Sequence, residues 1–500
     1  MRISPLLLLA TLASFLPVSR SAAAAAPAPA PGERMNVLFL IADDMRAELG
    51  SYSGRAQTPN LDRLAKQGVV FPRAYCQYPL CNPSRTSMLT GRHTTTTNVY
   101  GNRDWFRVTH PEWPSIPSYF RDQGYLTLRT GKIFHGGMDD FTAWTQGGEP
   151  HRYGEQKSLA NTPRATLSDT DEKQRVAQMV ASDVKRAPES DRWEAVEGEA
   201  PEKLGDTVVA DRAIAYLREY NQKGGQPFFL ACGFSKPHSP LVAPKRFFDL
   251  YRTEDIALPV DFAPLPTVPA GFPVGSIRPI NADLFVRRAA TPDEARAMIR
   301  AYLACISYVD WNAGRVLAEL DALGLRERTI VVFWSDHGYQ LGEKGKWSKA
   351  GSLWENGTRV PFIIHDPRAK GNGTSSPRVV QAVDIFPTLV ELTGLPRPAG
   401  IEGRSLSPLL QTPDQDWNHP AFTVWNERNR GITGAVVRTE RWRYAEFFGR
   451  GAGAMLTDPV NDPAETKNLV TDPQYADIVK ELSAKLRAYV ADKTELPAQP

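Results

Sequence analysis

Two acidic clusters stand far apart in this chain, Asp43-Asp44 and Asp336-His337-Gly338, and each closes a strand-like apolar run. Three carboxylates and a neutral imidazole make an oxygen-rich nest, which suits a hard divalent cation such as calcium or magnesium better than zinc. The aspartate pair taken alone reads as a helix cap or a solvated turn, whereas Asp-His-Gly after a second strand is a more specific signal. A third candidate for chemistry is Cys81, followed by Asn82-Pro83-Ser84-Arg85; by itself this reads as a buried cysteine beside a proline turn. The three features together are much harder to set aside than any one of them.

The elements that must position these residues are legible. Residues 36–42 are a continuous apolar run of strand length, the pattern of a strand buried on both faces, and the run ends at Asp43-Asp44. Residues 58–65 follow with a capping threonine, Pro59 at the first helical position and Gly68 as the stop. Further apolar runs at 228–234, 330–335 and 361–365 alternate with helical patterns at 208–220 and 298–323. That alternation predicts an α/β fold with a mostly parallel sheet flanked by helices. Ligands gather at the carboxyl ends of such strands. Asp43-Asp44, His238 and Asp336-His337 all fall just past an apolar run.

Residues 161–201 are polar and poor in aromatics, predicting a surface excursion, and the Pro-rich stretch 258–279 predicts an extended loop. After Pro413 the pattern changes to short strand-like runs at 421–425, 434–439 and 442–447, then a closing helix near 475–491. We therefore expect a main domain over 35–412 and a smaller antiparallel-sheet-plus-helix domain over 413–500. Trp442-Arg443-Tyr444 and Trp105-Phe106-Arg107 are aromatic-basic clusters for which packing is the better reading.

The 500 residues, 42% hydrophobic and 23% charged, describe a globular protein with enough chain for a substantial core. A net charge of +3 without a long basic run gives no compositional support for nucleic-acid or membrane-surface binding. Residues 1–26 read as a secretory signal peptide, with Arg2, an apolar run over 6–18 and small residues over 21–26; residues 27–34 read as an Ala/Pro tether. The apolar run is too short for a confident membrane span, so the expectation is a secreted or periplasmic protein with no stable span. Four cysteines cannot build a disulfide scaffold; Cys76, Cys232 and Cys305 read as small hydrophobes, and no disulfide is expected. The sequons at Asn356 and Asn372 read as incidental.

Taken together these stretches resemble the type I, formylglycine-dependent sulfatases of the alkaline phosphatase superfamily, and among them the iduronate-2-sulfatases. The resemblance rests on residues 36–44, residues 58–65, Cys81 to Arg92 with its Cys-X-Pro-Ser-Arg start and Thr-Gly-Arg end, and Gly131-Lys132-Ile133-Phe134-His135. It extends to Lys236-Pro237-His238-Ser239-Pro240, Ser335-Asp336-His337-Gly338 and residues 341–349. Lys344 departs from it, since relatives often carry histidine there.

The resemblance implies an alkaline-phosphatase-like sheet, oxidation of Cys81 to formylglycine (3-oxoalanine) by a formylglycine-generating enzyme, and a calcium ion, with magnesium possible. Asp43, Asp44, Asp336, His337 and the modified Cys81 would hold the metal. Arg85 would hold the formylglycine and its charge, Lys132 and His135 would stand beside it, and His238 and Lys349 would grip the sulfate and its bridging oxygen. One hydroxyl of the hydrated aldehyde would attack sulfur. The other would lose its proton to His135 and release sulfate, while His238 or Lys349 protonates the leaving alkoxide. The implied activity is removal of the 2-O-sulfate of a terminal uronate or iduronate from a sulfated carbohydrate. Choline or aryl sulfates remain open as substrates, as does hydrolysis of phosphomonoesters or phosphodiesters. A glycan-binding module without catalysis is the reading of a different class. Tyr339, just after Asp336-His337-Gly338, is a candidate to face the substrate.

Overall fold

The computed structural model describes residues 34–149, 191–197, 204–427 and 431–490. The signal peptide and all of the tether but Arg34 lie outside the described residues, as does most of the polar stretch 161–201.

Six strands form the central sheet: β1 (Asn36–Asp43), β2 (Val69–Val70), β4 (Leu126–Gly131), β6 (Phe228–Pro237), β8 (Thr329–Ser335) and β10 (Phe362–His365). Their order is β2-β10-β8-β1-β6-β4. β8, β1, β6 and β4 run parallel, while β10 is antiparallel to β8 and β2 is antiparallel to β10. The apolar run at 361–365 is therefore a strand, but one that turns the sheet's direction.

Helices cover both faces, which is why β1 reads as an unbroken apolar run. Its alternate residues Leu38, Leu40 and Ala42 pack into one core with the helices Gly205–Lys223, Pro292–Ala322 and Pro59–Gln67. Val37, Phe39 and Ile41 pack into a second core with Cys81–Thr90, Ile116–Asp122 and Ile385–Leu392. Each of these side chains but Ala42 contributes about 1.5–3 kcal/mol by leaving water.

The helix Pro59–Gln67 ends at Gly68 as expected, but Thr58 makes no capping bond to it. Its Oγ1 donates instead to Asp62 at 3.0 Å and accepts from Gly50 N. The orphan amides at the helix start are met by Asp310 of the long helix, which accepts from Leu61 N at 2.7 Å and Asn60 N at 3.3 Å. A carboxylate from 250 residues away thus does the work predicted for a threonine.

Two small sheets attach to the main body: β3 (Arg73–Tyr75) between β11 (Val379–Gln381) and β9 (Arg359–Val360), and β5 (Trp193–Val196) on β7 (Leu241–Pro244). The C-terminal unit is an antiparallel meander of β12 (Ala421–Asn426), β13 (Ile432–Arg438), β14 (Arg443–Phe447) and β15 (Gly453–Thr457). The helix Ala476–Val490 covers it through Leu482, Leu486 and Val490, spaced four residues apart on one helical face. A buried ionic knot joins this unit to the main body: Glu355 accepts from Tyr75 Oη at 2.6 Å, Arg438 Nε at 3.1 Å and Arg443 Nη2 at 2.6 Å. Burial would raise the Glu355 carboxyl, but Arg438 and Arg443 hold it well below the usual carboxylate range. The Trp442-Arg443-Tyr444 cluster is accordingly packing, with Arg443 fully buried.

Candidate active site

Four neighbouring parallel strands deliver the site. Ala42 of β1 pairs with Ser335 of β8, so the residues that follow, Asp43-Asp44 and Asp336-His337, emerge side by side. On the other side Asp43 pairs with Pro237 of β6, which puts His238 next in line. β4 pairs with β6 up to Gly131, and Lys132 N extends the ladder by donating to Gly233 O at 2.8 Å. A Cβ at residue 131 would lie 2.0 Å from Gly233 O, and φ is 73° there, so only glycine lets the strand end close to β6. Gly338 has a matching reason, since a Cβ there would lie 2.1 Å from Asn356 O.

Cys81 opens the helix Cys81–Thr90, whose ten residues are all buried, and Gly91 closes it at φ 64°. The motif side chains lock this helix under the strand ends. Asn82 Nδ2 donates to Gly101 O at 2.8 Å and Asp104 O at 2.7 Å, and Ser84 Oγ donates to Asp336 O. Arg85 is fully buried and makes four hydrogen bonds: Nε donates to Asp336 Oδ2 at 2.9 Å, Nη2 to Asp43 Oδ1 at 3.0 Å, and Nη1 to Lys132 O and Ile133 O. Its direct contacts are thus with the carboxylates and the backbone.

Asp44, Cys81, Asp336 and His337 offer four ligand atoms within 4.8 Å of one another; Asp43, Asp44, Cys81 and His238 form an overlapping set. His337 Nδ1 donates to Gly338 O at 2.9 Å, which turns Nε2 into the nest. That Nε2 lies 3.4 Å from Cys81 Sγ, 3.4 Å from Asp44 Oδ1 and 3.5 Å from Asp336 Oδ2. Three buried carboxylates and an imidazole with its other nitrogen fixed by a carbonyl fit a hard divalent ion.

The anion-facing side is built from lysines and histidines. Lys132 Nζ donates to Asp43 Oδ2, and Lys349 Nζ donates to Asp44 Oδ2 at 2.7 Å. Lys349 also pairs with Asp283 at 3.1 Å. His238 Nε2 lies 3.9 Å from Asp44 Oδ2, and Nδ1 donates to Ser239 O at 2.7 Å. His135 keeps a buried Nδ1 with no hydrogen-bond partner among the described residues. Counting Asp283, four carboxylates face Arg85, Lys132 and Lys349, so a bound dication would leave net positive charge toward an anionic ester.

The titration behaviour follows from these contacts. Burial would raise Asp43, but Lys132 and Arg85 hold it well below the usual carboxylate range. Burial would lower Lys349, but Asp283 and Asp44 outweigh it and keep the ammonium charged. Burial, then Lys132, pushes His135 down to about 3, so its ring is neutral near pH 7. Burial and Lys349 push His238 down as well, although 34% of its side chain stays open to solvent. Burial pushes the Cys81 thiol far up, so an unmodified cysteine here would be a poor nucleophile.

Other residues singled out from sequence fall behind the site. Tyr339 is buried: its hydroxyl donates to Trp347 O at 3.1 Å and its ring supports Lys349. Lys344 reaches away to Asp261 at 2.6 Å and Ala464 O at 3.0 Å, over the Trp354 ring, so its departure from the family pattern lies outside the reacting centre. Arg107 of the Trp105-Phe106-Arg107 cluster is tied to Asp140. Asp283 is the side chain that sequence reading missed. It sits in irregular chain with no motif around it.

The model of the sulfatase family matches residues 35–395. The chain belongs to the sulfatase family. The N-sulphoglucosamine sulphohydrolase C-terminal model matches residues 342–492 of this sulfatase. The sulfatase is 33% identical over 470 residues to a protein named sulfatase from Formosa agariphila, covering 91% of this chain and 86% of that one. It is 30% identical over 537 residues to the iduronate 2-sulfatase of Mus musculus, covering 90% and 93%. Among solved structures, a 2-O GAG sulfatase superposes with a TM-score of 0.66 at 25% identity, covering 94% of this chain and 96% of that one. The sulfatase is a sulfuric ester hydrolase with the fold of the alkaline phosphatase superfamily. No helix among the described residues is long and apolar enough to cross a membrane.

Proposed function

We propose that this sulfatase is exported and removes a 2-O-sulfate from a terminal uronate of a sulfated glycan, with formylglycine made from Cys81 at its centre. The observation that carries the reading is the position of Cys81 Sγ, 3.4 Å from His337 Nε2 and 3.8 Å from Asp44 Oδ1, on a buried helix start inside the carboxylate nest. The substrate reading is supported by the similarity to an iduronate 2-sulfatase and to a 2-O GAG sulfatase. Export is supported by the leader over residues 1–26.

Asp43, Asp44, Asp336, His337 and residue 81 would hold calcium, or magnesium in its place, and the ion would supply Lewis-acid charge for the ester oxygens. Formylglycine at residue 81 would supply a hydrated aldehyde, with one hydroxyl to attack and one to release the product. The chain's own side chains do the rest. Lys132 and Lys349 direct positive charge at the sulfate oxygens. His135, neutral and with an unpartnered ring nitrogen, accepts a proton from residue 81. Two groups compete to protonate the leaving oxygen. His238 has its Nδ1 proton committed to Ser239 O, so the neutral ring offers only a lone pair at Nε2. The ammonium of Lys349 carries donors at any working pH, which favours Lys349 for this role.

The test has three parts. Initial rates on matched aryl sulfate and aryl phosphate esters separate sulfate from phosphate hydrolysis; faster phosphate turnover sinks the reading. Rates on 2-O-sulfated and 6-O-sulfated disaccharides, beside choline sulfate, test the substrate; a preference for anything but the 2-O-sulfated uronate overturns that part. The intact mass of the peptide holding Cys81, from protein made with and without a formylglycine-generating enzyme, tests the modification. An unmodified thiol in active enzyme refutes it.

A further inference from the structure

We propose that Asp283 is a positioning residue for ester cleavage: its carboxylate, outside both sets of candidate metal ligands, anchors Lys349 and holds the ammonium toward the leaving oxygen. The inference rests on the reading of Lys349 given above. Asp283 Oδ1 lies 3.1 Å from Lys349 Nζ, while the other partner of that ammonium, Asp44 Oδ2, lies at 2.7 Å. An ammonium has three N–H donors. One is donated to Asp44, and Asp283 holds the ammonium as an ion pair, which leaves donor capacity for an ester oxygen.

Asp283 differs from Asp206 and Asp384 in what its carboxylate meets. Asp206 accepts the backbone N–H groups of Ser235 and Lys236 on its two oxygens, and Asp384 those of Gln381 and Arg404. Asp283 Oδ2 is buried without a hydrogen-bond partner among the described residues, and the ion pair of this side chain is with Lys349.

The loop that carries Asp283 is fastened in register with Lys349. Lys346 Nζ donates to Arg278 O at 3.3 Å and Ile280 O at 3.2 Å. Asn281 Oδ1 accepts from Trp347 N at 2.9 Å, its Nδ2 donates to Gly345 O at 3.2 Å, and Leu284 N donates to Trp347 O at 3.2 Å. Beyond it, Phe285 N donates to Asp191 Oδ1 at 2.6 Å. Position 283 is therefore gripped on both sides. Electrostatics supply the reason for a second anchor. A dication held by the nest would draw on Asp44 and would repel the ammonium across that carboxylate, whereas Asp283, outside the ligand sets, gives Lys349 a counter-charge of its own.

The experiment measures kcat/KM of the wild-type protein, Asp283→Asn and Asp283→Glu on a series of aryl sulfates whose leaving phenols span a wide range of pKa. Asp283→Asn is expected to lose about 10-fold or more on the poorest leaving group, mostly in kcat, and less than about 3-fold on the best. Asp283→Glu is expected to fall between the two. A uniform loss across the series, or none, overturns the proposal, because a merely structural residue has no reason to favour good leaving groups. So does failure of both variants to fold by near-UV circular dichroism, which would assign Asp283 to the fold. A wild-type protein inactive on every sulfate ester refutes the underlying reading instead.

Discussion

The ammonium of Lys349 donates a 2.7 Å hydrogen bond to Oδ2 of Asp44, although 305 residues separate the two in sequence. The other oxygen of Asp44 lies 3.4 Å from His337 Nε2 and 3.8 Å from Cys81 Sγ. One carboxylate therefore joins the nest that suits a cation to the side that suits an anion. Asp44 can do so because it turns out of β1 with φ 63°, a left-handed conformation that aspartate tolerates better than most residues.

That sharing sets opposite expectations for binding and rate. Lys349→Met frees Asp44 from a competing cation, so calcium is expected to bind more tightly while kcat/KM on a sulfate ester falls by about 100-fold or more. Calcium titration followed by the thermal midpoint, beside an aryl sulfate assay, checks both halves. Weaker calcium binding in this variant contradicts the shared-carboxylate account.

Chelation is expected to destabilise the protein. Asp43, Asp44 and Asp336 are buried together, and a cation that binds only the folded state at 100 times its Kd stabilises it by about 2.7 kcal/mol. Urea unfolding in chelator, then with calcium or magnesium restored, measures the difference. The cation giving the larger shift at equal concentration is the one the nest holds better.

Arg85→Lys is expected to be severe despite conserving charge. The guanidinium meets Asp43, Asp336 and two carbonyls at once, and a point-like ammonium cannot reproduce that fork. Leaving a buried carboxylate unpaired costs about 3 kcal/mol or more. Chemical denaturation of Arg85→Lys beside wild type tests this, and a loss under about 1 kcal/mol would refute the clamp.

Asp310 gives a prediction in pH. Burial pushes its carboxyl up to about 6, against about 3.9 for an unfolded aspartate. Between these values the unfolded chain releases a proton that the folded protein keeps. The contribution of this group is thus complete below about pH 4 and is lost as pH rises through about 6. Asp310→Asn keeps an acceptor for Leu61 N and is expected to flatten that segment of the stability profile. Urea midpoints across the interval for both proteins decide it, and an unchanged slope rules it out.

The amino-acid pattern went far toward the fold wherever one element meets the same surroundings along its whole length. β1 is apolar at every position because both faces are covered, and Leu482, Leu486 and Val490 repeat because one helical face meets one sheet. It failed at edges and at contacts between distant segments. β4 escaped notice because residues 126–131, at the sheet's margin, carry only two large apolar side chains, Leu126 and Leu128, although Lys132 hangs from its end. The helix cap was assigned to Thr58 because a local rule cannot see Asp310.

By itself the sequence determined the family, the α/β pattern and the residue types that gather at the strand ends, since Cys81-Asn82-Pro83-Ser84-Arg85 and the acidic clusters carry their chemistry in their own side chains. Only the tertiary structure decided how those side chains are shared. It made Arg85 a clamp on two carboxylates, turned Tyr339 inward, divided the oxygens of Asp44 and brought Asp283 against Lys349. The reason is physical. A side chain's charge is local to its residue, whereas the partner that directs it depends on which strand ends are neighbours in the sheet.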